Sequence, residues 1–525
     1  MWSWQPSPAS SGLGLTQLPA GSLMGVTAQP VSRWRTRNWR VSVTAVTLAG
    51  AIARLVGDRD SIAWDEVYLY SWVHGKGFGQ MMHLVAVKEK TPPLGFVLAW
   101  ISDQLGSSPS LIRIPSLIAG VALIPLVAAL GRRLGGQRTG LVAALLVAVS
   151  PFLVFYSVEA RSYSLTVALC TASTLLLVRA LKDGRRADWA AYSLLAALAL
   201  MSHYTAFAVL AGQALWALAA FPRNRKSILL SQAGPVLAAV IWLPWLKQQV
   251  DNSSDELHRI AAISPLDFGN VSAIIGHSLV GHPLTSIARL PGQWGLGLVL
   301  VGVAIAAVAL VVDRVRGRAP REPMGRPNIW LLVVLALAPL ALALGVSLQP
   351  GQSMLLARNL ITAVPAAALL VATLLASRGK AVLLISAGLV TTGLALGTVI
   401  ELRDVQRPAT GAAADAIASR WKPGDRVIDL CCLSGGDGPL GTALALQLTK
   451  GPRASLTVLS RGGDSAYAAS LKTNGRVFIV GYQLPRASAP IFYAPPKAWA
   501  TRFHRTWARE WPGLVKTVAW EFSQR

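Results

Sequence analysis

Long apolar blocks dominate the first 400 residues, separated by short polar or charged connections. A helix needs about 20 mostly apolar residues, at 1.5 Å rise each, to cross a bilayer. Blocks that meet or approach this length lie at 41–57, 110–131, 139–157, 162–181, 188–202, 204–221, 228–247, 294–313, 329–348, 359–376 and 381–400. The chain therefore reads as an all-α polytopic membrane domain with about 11 spans. Pro93–Leu105 is apolar but only about 20 Å long as a helix, so it reads as an interfacial or re-entrant helix. The short segments 188–202 and 204–221 read as a helical hairpin turning at Ser202-His203-Tyr204.

From Glu401 the pattern changes. Short apolar runs, Arg426–Cys432, Ser455–Leu459, Arg476–Tyr482 and Val515–Phe522, alternate with Gly, Pro and polar residues. Helix-like segments are expected at Thr410–Trp421 and Ala498–Trp511. This predicts a small C-terminal α/β domain over 401–525, outside the membrane. At the other end, residues 1–32 are rich in Ser, Pro, Gly and Gln without a period, and 1–40 reads as a disordered cytoplasmic leader. No charged segment precedes an apolar core there, so it is not read as a signal peptide.

Composition supports the membrane reading. The chain is 53% hydrophobic and 14% charged, with mean hydropathy +0.48, against about 25% charged in soluble domains. This excludes a single soluble globule and a wholly disordered chain. The net charge of +25, from 37 Arg and 12 Lys, would suggest nucleic acid if the cations formed a patch. Instead they sit in alternate connections: 33–40, 131–138, 179–186, 222–226, 312–326 and 377–380 hold 21 Lys or Arg, and the opposite connections hold nine. Counted in order, every cation-rich loop falls on one side, which makes that side cytoplasmic. The other side is outward. No nucleic-acid partner is expected. Cys170, Cys431 and Cys432 form neither a disulfide framework nor a zinc spacing.

Charged clusters on the outward side carry the candidate chemistry. Asp65 and Glu66, beside the first span, can act as a general base or bind a cation, or simply begin a solvated helix favoured by the macrodipole. Lys88 and Lys90, ahead of Pro92-Pro93, can hold a lipid phosphate or serve as interfacial anchors. Glu159 and Arg161, in a very short turn before Tyr163, form either a structural pair or part of a site, since charge at membrane depth is usually paired or functional. Arg358, where a loop meets a span, either snorkels or presents a forked donor to a phosphate. His203, His258, His277 and His282 share the outward side without a metal spacing, and vicinal Cys431-Cys432 is expected to end a strand.

These clusters, in this order, resemble the GT-C superfamily of membrane glycosyltransferases, in particular the branch related to glycosyltransferase family 39. The resemblance rests on the Asp65-Glu66 pair, TPPLGFVLAW at 91–100, RIPSLIAGVALIPLVAALGRRLGG at 113–136 and GLVAALLVAVSPFLVFYSVEARSYSL at 140–165. SHYTAF at 202–207, WLPWL at 242–246 and ARNLITAVP at 357–365 continue it. It implies a transmembrane GT-C-like catalytic domain over 41–400. The implied activity is transfer of a hexose or pentose from a polyprenyl-phosphate-linked donor, on the outer face of the cytoplasmic membrane. The acceptor would be a hydroxyl of a cell-envelope glycan, lipid or protein. By position the resemblance makes Asp65 the catalytic base, with Glu66 and Glu159 as its acidic companions. Lys88, Lys90, Arg161, Tyr163, His203 and Arg358 become the substrate-binding set. Thr91 and Asn359 depart from the pattern, where many relatives have His and an aromatic. Family members differ in metal use, so a divalent metal stays open and the residues themselves designate no metal site. The competing reading is a polytopic lipid or sugar transporter or flippase. Transporters place charges near mid-membrane, often within inverted repeats. Here the charges gather at one face and no repeat is found.

Overall fold

A computed structural model describes residues 33–58, 61–62, 65–106, 108–251, 254–281, 294–320, 322–403, 407–430, 442–448, 451–458, 470, 472–483, 497–513 and 515–525. The leader at 1–32, His282 and Cys431-Cys432 lie outside the described residues. The chain divides into two compact units, 1–41 and 42–525. Only the opening of the first helix is described for the former, and the site lies entirely within the latter.

Helix α1 (Arg33–Gly57) precedes three short helices, α2 (Asp65–Val73), α3 (Phe78–Lys88) and α4 (Leu94–Asp103). At ten residues, α4 is too short to cross. A 3-10 turn at Pro109–Arg113 leads into α5 (Ile114–Gly135), followed by α6 (Gln137–Ala148), α7 (Pro151–Ser157) and α8 (Tyr163–Asp183). Then come α9 (Arg186–Ser202), α10 (Ala206–Ala220), α11 (Arg225–Ser231), α12 (Ala233–Asp251), α13 (Ser254–Ile263) and α14 (Phe268–Val280). The series ends with α15 (Trp294–Val315), α16 (Arg326–Ser347), α17 (Val364–Ala376) and α18 (Lys380–Arg403).

Among the described residues, eight helices are long and apolar enough to cross a membrane, or nine if the bent α6–α7 pair forms one span. The two other expected spans are the hairpin helices α9 and α10, with 17 and 15 residues. α10 falls below the usual spanning range of about 17–25 residues and α9 stands at its lower edge, and Arg186 and Asp188 further polarise the start of α9.

The 62° bend between α6 and α7 has a local cause. Pro151 has no N–H to donate to the Val147 carbonyl, so the helix ladder breaks. Arg54, fully buried in α1, donates to the carbonyls of Ala148 at 3.2 Å and Val147 at 3.4 Å. Thr398 donates to Val149 O at 2.8 Å. Arg54 Nε also donates to Ser157 Oγ at 3.0 Å. Gly120 in α5 permits this approach, because a Cβ there would collide with the Ser157 hydroxyl. The broken span thus ends in a rigid turn at 158–162.

The C-terminal part forms a five-stranded sheet in the order β2-β1-β3-β5-β4. Its strands are β1 (Arg426–Asp429), β2 (Leu456–Val458), β3 (Val477–Gln483), β4 (Phe503–Trp511) and β5 (Lys516–Gln524). β1 runs parallel to β2 and β3, and the β3–β5 and β4–β5 pairs are antiparallel. Alternate residues face opposite layers. Val427, Phe478 and Val480 pack under α19 (Thr410–Ala418) and α20 (Ala443–Gln447). Ile428, Val477 and Ile479 pack on the other side with Trp499 of α21 (Lys497–Arg502). The expected helix over Ala498–Trp511 is only half present: α21 stops at Arg502 and β4 follows. Phe503, Trp507 and Trp511 recur every fourth residue, a spacing that suits one helix face, but in the strand a bulge between Arg505 and Trp507 turns Phe503 to one layer and both tryptophans to the other. Pairing with β5 decides for the strand.

Candidate functional site

Asp65 and Glu66 open α2 in its first turn, where the helix dipole favours acids. The neighbours meet opposite surroundings. Glu66 points inward, and its carboxylate accepts from Arg113 Nε and Nη2, each at 2.7 Å, and from the Ala160 amide at 2.8 Å. Arg407 Nε lies 3.3 Å from Glu66 Oε2. Arg113 in turn donates to Asp58 Oδ1 and Ser61 O, both at 3.1 Å. Burial alone would raise the Glu66 carboxyl, but Arg113, Arg407 and the amide outweigh it and hold it below its ordinary value.

Asp65 points the other way. Its Oδ2 lies 3.3 Å from Nη1 of Arg358, 293 positions along the chain. The Asp65 and Arg358 side chains remain 35% and 30% exposed, against 1% for Glu66, so a ligand can reach them. Arg358 sits in the 3-10 segment Ala357–Ala363 that starts the span into α17. It borders a hollow of about 210 Å³, lined mainly by Ile274, His277, Leu355, Leu356 and Tyr156.

The turn after α7 supplies the rest. Glu159 is buried, and its Oε2 has no hydrogen-bond partner among the described residues. Burial, and then the Asp65 carboxylate, push its carboxyl up to about 7. Arg161 does not pair with Glu159. It forks onto Glu89, with Nη1–Oε2 at 3.0 Å and Nη2–Oε1 at 3.4 Å, and its guanidinium lies over the Phe96 ring. Of the two readings of this turn, the structural one is therefore changed: a Glu89–Arg161 pair replaces the expected Glu159–Arg161 pair.

Tyr163 packs edge-on against Tyr156 and tilts against His203, with ring centres 5.0 and 5.4 Å apart. His203 Nδ1 accepts from the Thr205 amide at 3.2 Å, which leaves the ring proton on Nε2. Burial, then Arg161 and Arg358, lower this imidazole to about 3, so it stays neutral and donates. Lys88 is exposed at the end of α3, and Lys90 is half-buried two residues on. No group of three or more His, Cys, Asp or Glu among the described residues is placed to hold a metal ion.

The site thus gathers one accessible carboxylate beside one accessible guanidinium, a buried carboxyl poised near neutrality, and a neutral imidazole N–H. That set can accept a proton and hold an anion. Glu89, Arg113 and Arg407, which hold these groups in place, escape sequence reasoning. The available hint was that Arg113 and Arg161 each stand at the edge of an apolar block and need an acid.

By sequence, the chain matches the family described as dolichyl-phosphate-mannose-protein mannosyltransferase over residues 90–247. That stretch includes Lys90, Glu159, Arg161, Tyr163 and His203, but not Asp65, Glu66, Lys88 or Arg358. No curated protein matches the chain significantly. Its fold is similar to that of ArnT from Cupriavidus metallidurans. The TM-score is 0.53 at 16% identity for the apo state, and 0.51 at 15% identity for the form bound to undecaprenyl phosphate. Each alignment covers 92% of this chain and 98% of that one. The chain is a polytopic membrane protein with a fold like that of ArnT, and over residues 90–247 it is similar to the dolichyl-phosphate-mannose-protein mannosyltransferase family.

Proposed function

We propose that the protein transfers a sugar from a polyprenyl-phosphate donor to an acceptor hydroxyl, with inversion, on the outer face of the cytoplasmic membrane. The observation that carries this reading is the Asp65–Arg358 contact. A base and an anion-holding cation, remote in sequence, share one reachable spot at the end of the membrane helices. The undecaprenyl phosphate bound to ArnT is a ligand of the proposed chemistry. The cation-rich connections support a cytoplasmic position for the opposite ends of the spans, with the site and the C-terminal sheet outside.

In this mechanism the acceptor oxygen attacks the anomeric carbon as its proton passes to Asp65. The bond from that carbon to the phosphate oxygen breaks, and its electron pair leaves with the lipid phosphate. A single displacement inverts the centre. General base assistance contributes about 10²–10⁴-fold. Arg358 offsets the growing charge on the phosphate, and the hollow beside it receives the first part of the lipid tail. His203 Nε2–H and Tyr163 face sugar hydroxyls. Glu66 acts through position: it fixes the start of α2 and hence Asp65. Lys88 and Lys90 lie where headgroups approach and contribute to donor capture.

Arg358→Ala removes one charge-assisted contact, worth about 1.5–3 kcal/mol. The donor Kd is expected to rise about 10–100-fold while the acceptor KM changes little. Acceptor binding weakened in place of donor binding would remove Arg358 from this role. A transporter would carry the same donor intact, so release of free polyprenyl phosphate on addition of acceptor separates the two activities.

A further inference from the structure

We infer that Arg407, contributed by the chain leading into the C-terminal sheet, is a positioning residue for the transfer site, making that sheet domain an integral part of it. The inference rests on the proposed transfer reaction. Arg407 is 2% exposed. It lies between the two outward segments that carry the acids: Nε is 3.3 Å from Glu66 Oε2, and Nη2 donates to Val158 O at 3.0 Å. Its guanidinium also lies over the Phe155 ring, 5.7 Å from the centroid. It therefore bridges the residue after Asp65 to the residue before Glu159.

The next residues fix the same junction. The Gly411 amide donates to Ser61 Oγ at 3.0 Å, and the Ala409 amide donates to Thr517 Oγ1 of β5 at 2.9 Å. Leu446 of α20 packs against the cluster that includes Ile62, Leu69 and Tyr70. A domain tethered only by a flexible linker would not place a buried arginine between two site segments. Arg407 also favours the ionised form of Glu159, since it is the first cation opposing the burial of that carboxyl.

The test uses full-length protein with Arg407→Lys and Arg407→Met. Lysine keeps the charge but cannot reach Glu66 and Val158 together. Expected results are a folded Arg407→Lys protein with kcat several-fold lower and donor KM nearly unchanged, and a larger loss in Arg407→Met. The Glu159 carboxyl, followed by its infrared carboxyl stretch, should titrate at higher pH in Arg407→Met. Amide exchange is read in parallel: the Ala160 amide, bonded to Glu66, should exchange faster in both variants. That readout needs no substrate, so it stands even if the wild type transfers no sugar from a polyprenyl-phosphate donor. Wild-type exchange at Ala160 in Arg407→Lys would overturn the inference. So would wild-type kcat in an active preparation, or an equal fall of kcat and rise of donor KM. If Arg407→Met does not fold, Arg407→Lys alone decides.

Discussion

Asp65→Asn is expected to leave the protein folded in the membrane and to abolish measurable sugar transfer. Asparagine matches aspartate in shape, and its carbonyl oxygen can still accept from Arg358 Nη1, now 3.3 Å away. The side chain is 35% exposed and makes no buried ion pair, so little stability depends on its charge. It can no longer take up a proton as the acceptor oxygen attacks, so the loss should reach about 10²–10⁴-fold. The assay is transfer from a labelled polyprenyl-phosphate sugar, beside a melting curve of the same preparation. Full activity would remove Asp65 from the mechanism. Activity lost together with the melting transition would make it structural.

The adjacent substitution should do the reverse. Glu66→Ala deletes a buried carboxylate that answers Arg113 and Arg407 and accepts the Ala160 amide. Arg113 then keeps the partly exposed Asp58, and Arg407 loses its contact with the Glu66 carboxylate. Breaking one buried pair costs about 3–5 kcal/mol, a large part of the roughly 5–15 kcal/mol margin of a folded protein. The variant is expected to lose its cooperative melting transition or to melt far below the wild type. The sign with pH follows from the lowered carboxyl. Its stabilisation is complete above the ordinary value of 4.5 and is lost as pH falls through the lower folded value. A Glu66→Ala protein as stable as the wild type would mean that another group compensates both arginines. In sequence the two acids are neighbours of the same type, yet one substitution should stop the reaction and the other the fold.

That contrast marks how far the sequence can be read. Hydropathy locates the membrane helices because the bilayer demands long apolar runs whatever their packing. The loop clusters bring out Asp65, Glu159, Arg161 and Arg358 because charge at membrane depth needs a reason. Only the family resemblance separates Asp65 from Glu66 in sequence, since adjacent acids near a helix start differ physically in the direction each points. Nor does it reveal that Arg161 chooses Glu89 over the nearer Glu159, because that choice depends on where α3 ends relative to the turn after α7. Arg407 is one arginine among many until α19 and β5 fix the chain around it. The β4 segment misleads because its aromatics repeat every four residues, as on a helix face, while a bulge between Arg505 and Trp507 puts them on opposite faces of the strand.

The most direct test is a structure with a polyprenyl phosphonate sugar, a donor analogue whose carbon linkage resists cleavage. The expected result puts its phosphonate against the Arg358 guanidinium, its tail in the hollow beside Tyr156 and Ile274, and its anomeric carbon facing the Asp65 carboxylate. A donor bound with its anionic group away from Arg358, and its anomeric carbon out of reach of any acceptor held by Asp65, would contradict the proposed reaction.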